Sequence, residues 1–157
     1  MKATKKRPLR VGVGIVLLNT ENKVFVGKRI DNPQNYWQMP QGGVDKNETL
    51  LQAAKRELEE ETGVKTVKLI KELDGWLTYD LPKRLLGKVW KGKYSGQKQK
   101  WFLMKFIGND NEINVKTKHP EFLEFKWIDL DKITEVVVDF KLNIYKEVKK
   151  RVEKIIS

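Results

Sequence analysis

The chain of 157 residues contains no cysteine and a single histidine, His119. The first absence excludes a disulfide framework, thiolate zinc sites and cysteine nucleophiles, and it fits a reducing compartment. The second leaves no histidine-rich metal centre, so any metal must be held mainly by oxygen ligands. That favours a hard cation such as magnesium, manganese or calcium. No apolar run approaches the roughly 18 residues that a membrane span requires. The start, MKATKKRPLR before VGVGIVLL, has the outline of a secretory signal. It lacks a small-residue cleavage site, however, and its alternation with glycine reads as a strand. A cytoplasmic protein with no membrane partner is expected. Repeats, low-complexity stretches and proline-rich linkers are also missing, so residues 1–157 read as one domain, expected to be a monomer.

What the chain has in excess is positive charge: 32 Lys and Arg stand against 21 Asp and Glu, a net charge of +11. Such a balance favours polyanionic partners such as nucleic acid, although a lysine-rich protein kept soluble by its surface has the same composition. The elements read as α+β. Val11 to Leu18 and Lys23 to Lys28 form a hairpin about the polar turn Asn19 to Asn22, and further strands are expected at 66–73, 76–81, 101–107 and 122–128. Thr49 with Gln52 makes a capping box and Gly63 a stop, which delimit one helix. A second runs from about Asp139 to Ile156, where Phe140, Ile144, Val148, Val152 and Ile155 recur at helical spacing. A curved mixed sheet between two helices is the natural assembly.

On the first helix, at about 100° per residue, Glu57 and Glu61 lie together, Glu60 lies one step aside and Glu59 points away with Lys55 as its partner. The apolar stripe Leu51, Ala54 and Leu58 borders the three aligned carboxylates. Like charges at this spacing oppose the helix, partial burial adds to the cost, and a cation offsets both. For these three alone, a solvated acidic surface remains the plain alternative.

The wider pattern is more specific. Gly42, then five residues, Glu48, then seven residues and Arg56-Glu57-Leu58-Glu59-Glu60-Glu61-Thr62-Gly63-Val64 resembles the Nudix family signature at every fixed position. The resemblance implies a Nudix fold, an α/β/α sandwich, with the box at 42–64 forming a loop, helix and loop that bind divalent metal. It implies that Glu57, Glu60 and Glu61 are ligands, with the Gly42 carbonyl as another, and that Glu48 and Arg56 form an ion pair orienting Glu57. The cofactor implied is Mg2+ or Mn2+, two or more ions during catalysis, and the reaction is attack of water on a phosphoanhydride.

Five further segments, Val26 to Arg29, Trp37 to Gly43, Gly96 to Phe102, Pro120 to Phe122 and Val138 to Lys141, resemble bacterial RNA pyrophosphohydrolases and the similar dinucleoside polyphosphate hydrolases. This resemblance implies that Glu121 is a late metal ligand or base, that Lys28, Arg29, Gln41, Gln97, Lys98 and Lys100 contact substrate, and that Phe140 with Lys141 forms a base-stacking pair. Lys28, where some relatives have arginine, and Lys46-Asn47, in place of a common Pro-Gly, depart from the pattern. From Leu81 to Trp101 there are seven Lys or Arg and no acid, with Trp90, Tyr94 and Trp101 interleaved. Basic and aromatic side chains together suit single-stranded RNA, although Trp101 reads as a core residue. The expected partners are RNA 5′ ends, cut to monophosphate at the start of mRNA decay. The alternatives are diadenosine polyphosphates as substrate, or a non-catalytic RNA- or nucleotide-binding module.

Overall fold

A computed structural model describes residues 7–31, 34–118 and 120–156, so His119 lies outside the described residues. Its centre is β1 (Leu9–Leu18), whose seven residues from Gly12 onward are buried on both faces. That burial explains why glycine and branched apolar residues fill both registers of this strand. β1 pairs in parallel with β7 (Gly96–Phe106) over ten residues, from Leu9 opposite Gly96 to Leu18 opposite Lys105. Around this pair lie β2 (Val24–Arg29), β3 (Trp37–Gln38), β4 (Gln41–Gly43), β5 (Val67–Glu72), β6 (Leu77–Asp80) and β8 (Phe122–Ile128), in one mixed sheet with β3-β2-β1-β7-β5 as its main path.

The two faces of the central strands carry separate cores, as a period of two requires. On one face Val13, Ile15, Leu17, Phe102 and Met104 pack under Ala53, Ala54 and Leu58 of α1 (Leu50–Thr62). On the other, Val16, Leu18, Trp101 and Leu103 meet Ile144, Tyr145, Val148 and Val152 of the long C-terminal helix, Leu142–Ile156. A short helix, α2 (Ile133–Val136), precedes that one, which is α3. The sheet therefore lies between helices, the α/β/α arrangement expected. Among the described residues no helix is long and apolar enough to cross a membrane.

Several boundaries differ from expectation. β7 begins at Gly96, not Trp101, because pairing with β1 extends it through polar residues. β3 and β4 lie in a segment where no strand was expected, and β4 takes the β1 edge at Gly12–Gly14, leaving the β1–β2 hairpin paired at Leu18 and Val24. Asp139–Lys141 form a 3-10 turn before α3, so Phe140 precedes the helix.

Candidate active site

α1 delivers the acidic residues. Thr49 accepts the Gln52 backbone N–H while the Gln52 side chain accepts that of Thr49, and Gly63 ends the helix in the left-handed region at φ 77°. In the preceding loop Asn47 also adopts positive φ, 66°. Asparagine tolerates that conformation better than most residues, which accounts for the departure from Pro-Gly there.

Arg56 ties loop and helix together. Its Nε donates to Glu48 Oε2 at 2.7 Å, and its Nη2 donates to Glu48 Oε1 at 3.0 Å and to the Gly43 carbonyl at 2.9 Å. Its Nη1 donates to Glu57 Oε1 at 2.6 Å and Glu60 Oε2 at 3.2 Å. These bonds lower the Glu48 pKa, and bonds to Glu48 and Glu57 raise that of Arg56. Glu57 is pushed up by burial, against the pull of Arg56. Glu61, 5% exposed, is pushed well above the carboxylate range by burial, then by Glu57 and Glu121. Its Oε2 accepts the Gln41 backbone N–H at 3.2 Å. A Cβ at Gly42 would overlap the Glu57 carboxylate, so only glycine allows Glu57 to lie against this backbone.

Among the described residues no three His, Cys, Asp or Glu side chains converge as a ready metal cluster. Glu57 and Glu60 are instead turned toward Arg56. The donor set nevertheless fits a hard divalent cation: the groups are carboxylate oxygens, and burial together with Glu57 and Glu121 disfavours the charged form of Glu61, a cost that a bound cation offsets.

These carboxylates border a cavity of about 1040 Å³. Its other walls present Arg10, Arg29, Arg84 and Lys141, the rings of Tyr79, Trp90 and Phe140, and Glu121 at the rim. Asp31 holds Arg29 through two bonds, 2.8 Å from Nε and 2.6 Å from Nη2, which raise the Arg29 pKa and lower that of Asp31. Lys141 donates to Gln38 Oε1 at 3.0 Å, and burial, with help from Arg29, brings its pKa down to about 7. Phe140 lies 5.7 Å from the Tyr79 ring and 5.8 Å from the Arg84 guanidinium. Burial raises the Tyr79 hydroxyl to about 12, opposed by a hydrogen bond with Gln41.

The structure thus brings Gly42, Glu57, Glu60, Glu61, Glu121, Arg29, Gln41, Phe140 and Lys141 to one cavity, with Glu48 and Arg56 behind it. Four expected substrate contacts fall outside. Lys28 does not line the cavity. Gln97 is fully buried, its Oε1 accepting the Tyr79 hydroxyl at 3.3 Å. Lys98 and Lys100 alternate with the buried Gln97 and Gln99 and so leave the other face of β7. There Lys98 lies over Trp76 and Lys100 bonds the Gly75 carbonyl. Glu59 also differs from expectation: it borders the cavity, and its ion pair is with Lys65 at 3.9 Å, not Lys55. Sequence reasoning missed Arg10, which no local pattern marks; only the sheet register sets it beside Gly43 and over Trp90. Tyr79 lies in an expected strand and Arg84 in the basic segment 81–101, and neither carries a sequence signal that marks it as a site residue.

The chain matches the NUDIX domain over residues 8–148. It is 68% identical over 150 residues to a protein of Pelagibacter ubique named RNA pyrophosphohydrolase, covering 96% of this chain and 95% of that one. A Rhodospirillum rubrum protein of the same name is 48% identical over 141 residues, covering 90% and 85%. Among solved structures, the E. coli dihydroneopterin triphosphate pyrophosphohydrolase superposes with a TM-score of 0.68 at 21% identity, covering 91% of this chain and 97% of that one, a likeness of fold.

Proposed function

The chain belongs to the Nudix family of hydrolases, which act on phosphoanhydrides, and from that premise we propose that it converts 5′-triphosphorylated or diphosphorylated RNA to the 5′-monophosphate, an early step of mRNA decay. The observation that carries this reading is a single cavity in which an acidic helix face opposes cationic walls and the Phe140 ring. The first arrangement suits a metal-assisted cut in a polyphosphate and the second suits a polyphosphate attached to a base. The relatives named RNA pyrophosphohydrolase support the choice of substrate.

Nudix hydrolases generally use divalent metal ions. Here Glu57, Glu60, Glu61 and Glu121, with the Gly42 carbonyl, would hold Mg2+ or Mn2+, as two or more ions. When bound, such ions neutralise phosphate oxygens and acidify a water for attack on phosphorus. The protein's own residues do the rest. Arg56 fixes Glu57 and Glu60 from one guanidinium, itself held by Glu48. Arg10, Arg29 and Lys141 draw in the phosphates, Phe140 stacks on a base, and Glu121 serves either as a late metal ligand or as the base that takes the proton of the attacking water. A monomer working in the cytoplasm completes this reading.

The test supplies purified protein and magnesium with 5′-triphosphorylated RNA and, in parallel, diadenosine tetraphosphate. Release of pyrophosphate or phosphate from the RNA at the higher kcat/KM is expected, and faster cleavage of the dinucleotide would overturn the substrate assignment. Glu57→Gln should abolish both reactions in a protein that still melts cooperatively, and Glu121→Ala should lower kcat by on the order of a hundredfold or more. Absence of turnover by the wild type would favour a binding module.

A further inference from the structure

Behind the Gln41 wall of the cavity runs a chain of hydrogen bonds whose direction is set by one group. The indole N–H of Trp101 can only donate, and it donates to Gln99 Oε1 at 3.2 Å. Both residues are 1% exposed, and neither lines the cavity. With its oxygen committed to Trp101, Gln99 must turn its amide nitrogen the other way. That nitrogen donates to Gln97 Oε1 at 2.7 Å and to Gln41 Oε1 at 3.2 Å. The carbonyl end of Gln41 is therefore drawn toward Gln99, and its amide nitrogen is left to the Tyr79 hydroxyl, with which Gln41 bonds, and to the cavity that both residues line.

The chain could in principle run in two directions. Were Gln99 reversed, its oxygen would face Gln97 and Gln41, both amides would reverse to meet it, and Gln41 would turn a carbonyl outward. Trp101 disfavours this, because a reversed Gln99 would set an N–H2 group against an indole N–H and leave two buried donors without acceptors, against the one, Gln97 Nε2, that the observed direction leaves unbonded. The difference matters for an anion. Phosphate oxygens at neutral pH accept hydrogen bonds and repel a carbonyl oxygen, whereas an amide N–H2 group donates to them.

We propose that Gln99 and Trp101 are positioning residues that fix the polarity of the Gln41 amide, so that the wall beside the carboxylates offers a donor to the polyphosphate. The assignment rests on the polyphosphate substrate class given above and deepens it. Two residues without substrate contact thereby govern affinity for the charged part of the substrate.

The test is a double-mutant cycle on the full chain with magnesium, using a nucleoside triphosphate with methylene groups at both the α,β and β,γ bridges as a non-hydrolysable probe and triphosphorylated RNA for kinetics. Gln99→Met keeps the length of the side chain and removes the donor. It should weaken probe binding and raise KM by on the order of tenfold, with kcat changed less than twofold. Combined with Gln41→Ala, it should have no further effect, because a relay through Gln41 has nothing left to orient. Trp101→Phe, which removes the indole N–H, should act in the same direction. Should it unfold the core, Gln99→Met still decides. Equal losses from Gln99→Met with and without Gln41 would overturn the relay and leave Gln99 as ordinary packing, as would an unchanged probe affinity. Wild-type protein that fails to bind the probe would overturn instead the polyphosphate reading beneath it.

Discussion

Lys141 is a cation placed where water cannot solvate it, with a neutral amide oxygen as its bonded partner. Its pKa of about 7, against an ordinary 10.5, makes its charge responsive to what enters the cavity, since an arriving phosphate favours the charged form. The same shift fixes a stability profile. Between pH 7 and 10.5 the unfolded chain holds a proton on this amine that the folded chain has lost, so stability rises with pH across that window and is flat in this respect below it. Denaturant unfolding in the presence of a chelator should show the wild type gaining stability from pH 7 to 10.5 relative to Lys141→Met, and parallel curves would return the amine to an ordinary pKa. At this scale the sequence was most informative where a helical period applies. Glu57, Glu60 and Glu61 could be aligned from spacing alone, and Arg56 with Glu48 followed from a signature. Arg10 could not, because its place depends on β1 lying parallel to β7, a pairing with no local trace.

At the scale of elements, β7 decides which of its polar residues serve the site. Gln97 and Gln99 point to the side of Tyr79 and Gln41, while Lys98 and Lys100 point to the opposite side, so a run that looks uniformly polar is divided by the pleat. Lys98→Gln with Lys100→Gln should therefore leave kcat and KM for a short triphosphorylated oligonucleotide within about twofold, as for surface substitutions remote from a site. A large rise in KM would show that these lysines reach the substrate after all. The polar composition of 96–100 also explains why the strand was expected to begin only at Trp101: alternation of hydrophobic and polar residues, the usual strand signal, is absent where the inward positions are glutamines. β3 and β4 were illegible for a different reason. At two and three residues they are too short for any period, and they exist because β1 and β2 offer free edges. The capping box and Gly63 made α1 legible almost to the residue.

For the whole molecule, the net charge of +11 is carried largely outside the cavity, and the 81–101 segment holds seven of the basic residues. Neutralising the exposed Lys83, Lys88 and Lys91 together should flatten the dependence of RNA cleavage on salt, because fewer counterions are released when a polymer binds. The measurement is the slope of log(kcat/KM) against log salt for RNA and for diadenosine tetraphosphate, and equal changes in both would assign these lysines to the general field of the protein. The central strand pair has a separate consequence, for how the chain reaches this state. β1 begins at Leu9 and its parallel partner β7 ends at Phe106, so the middle of the sheet closes only when distant parts of the chain meet. Such non-local pairing makes folding slow relative to a helical bundle of the same length. On a ribosome, moreover, α1 and its glutamates emerge well before the strand that completes the sheet beside them. A nascent chain that already contains the whole acidic helix still lacks the strand that pairs with β1 and the Phe140 and Lys141 walls of the cavity, so the cavity is complete only after the C-terminal part has been made.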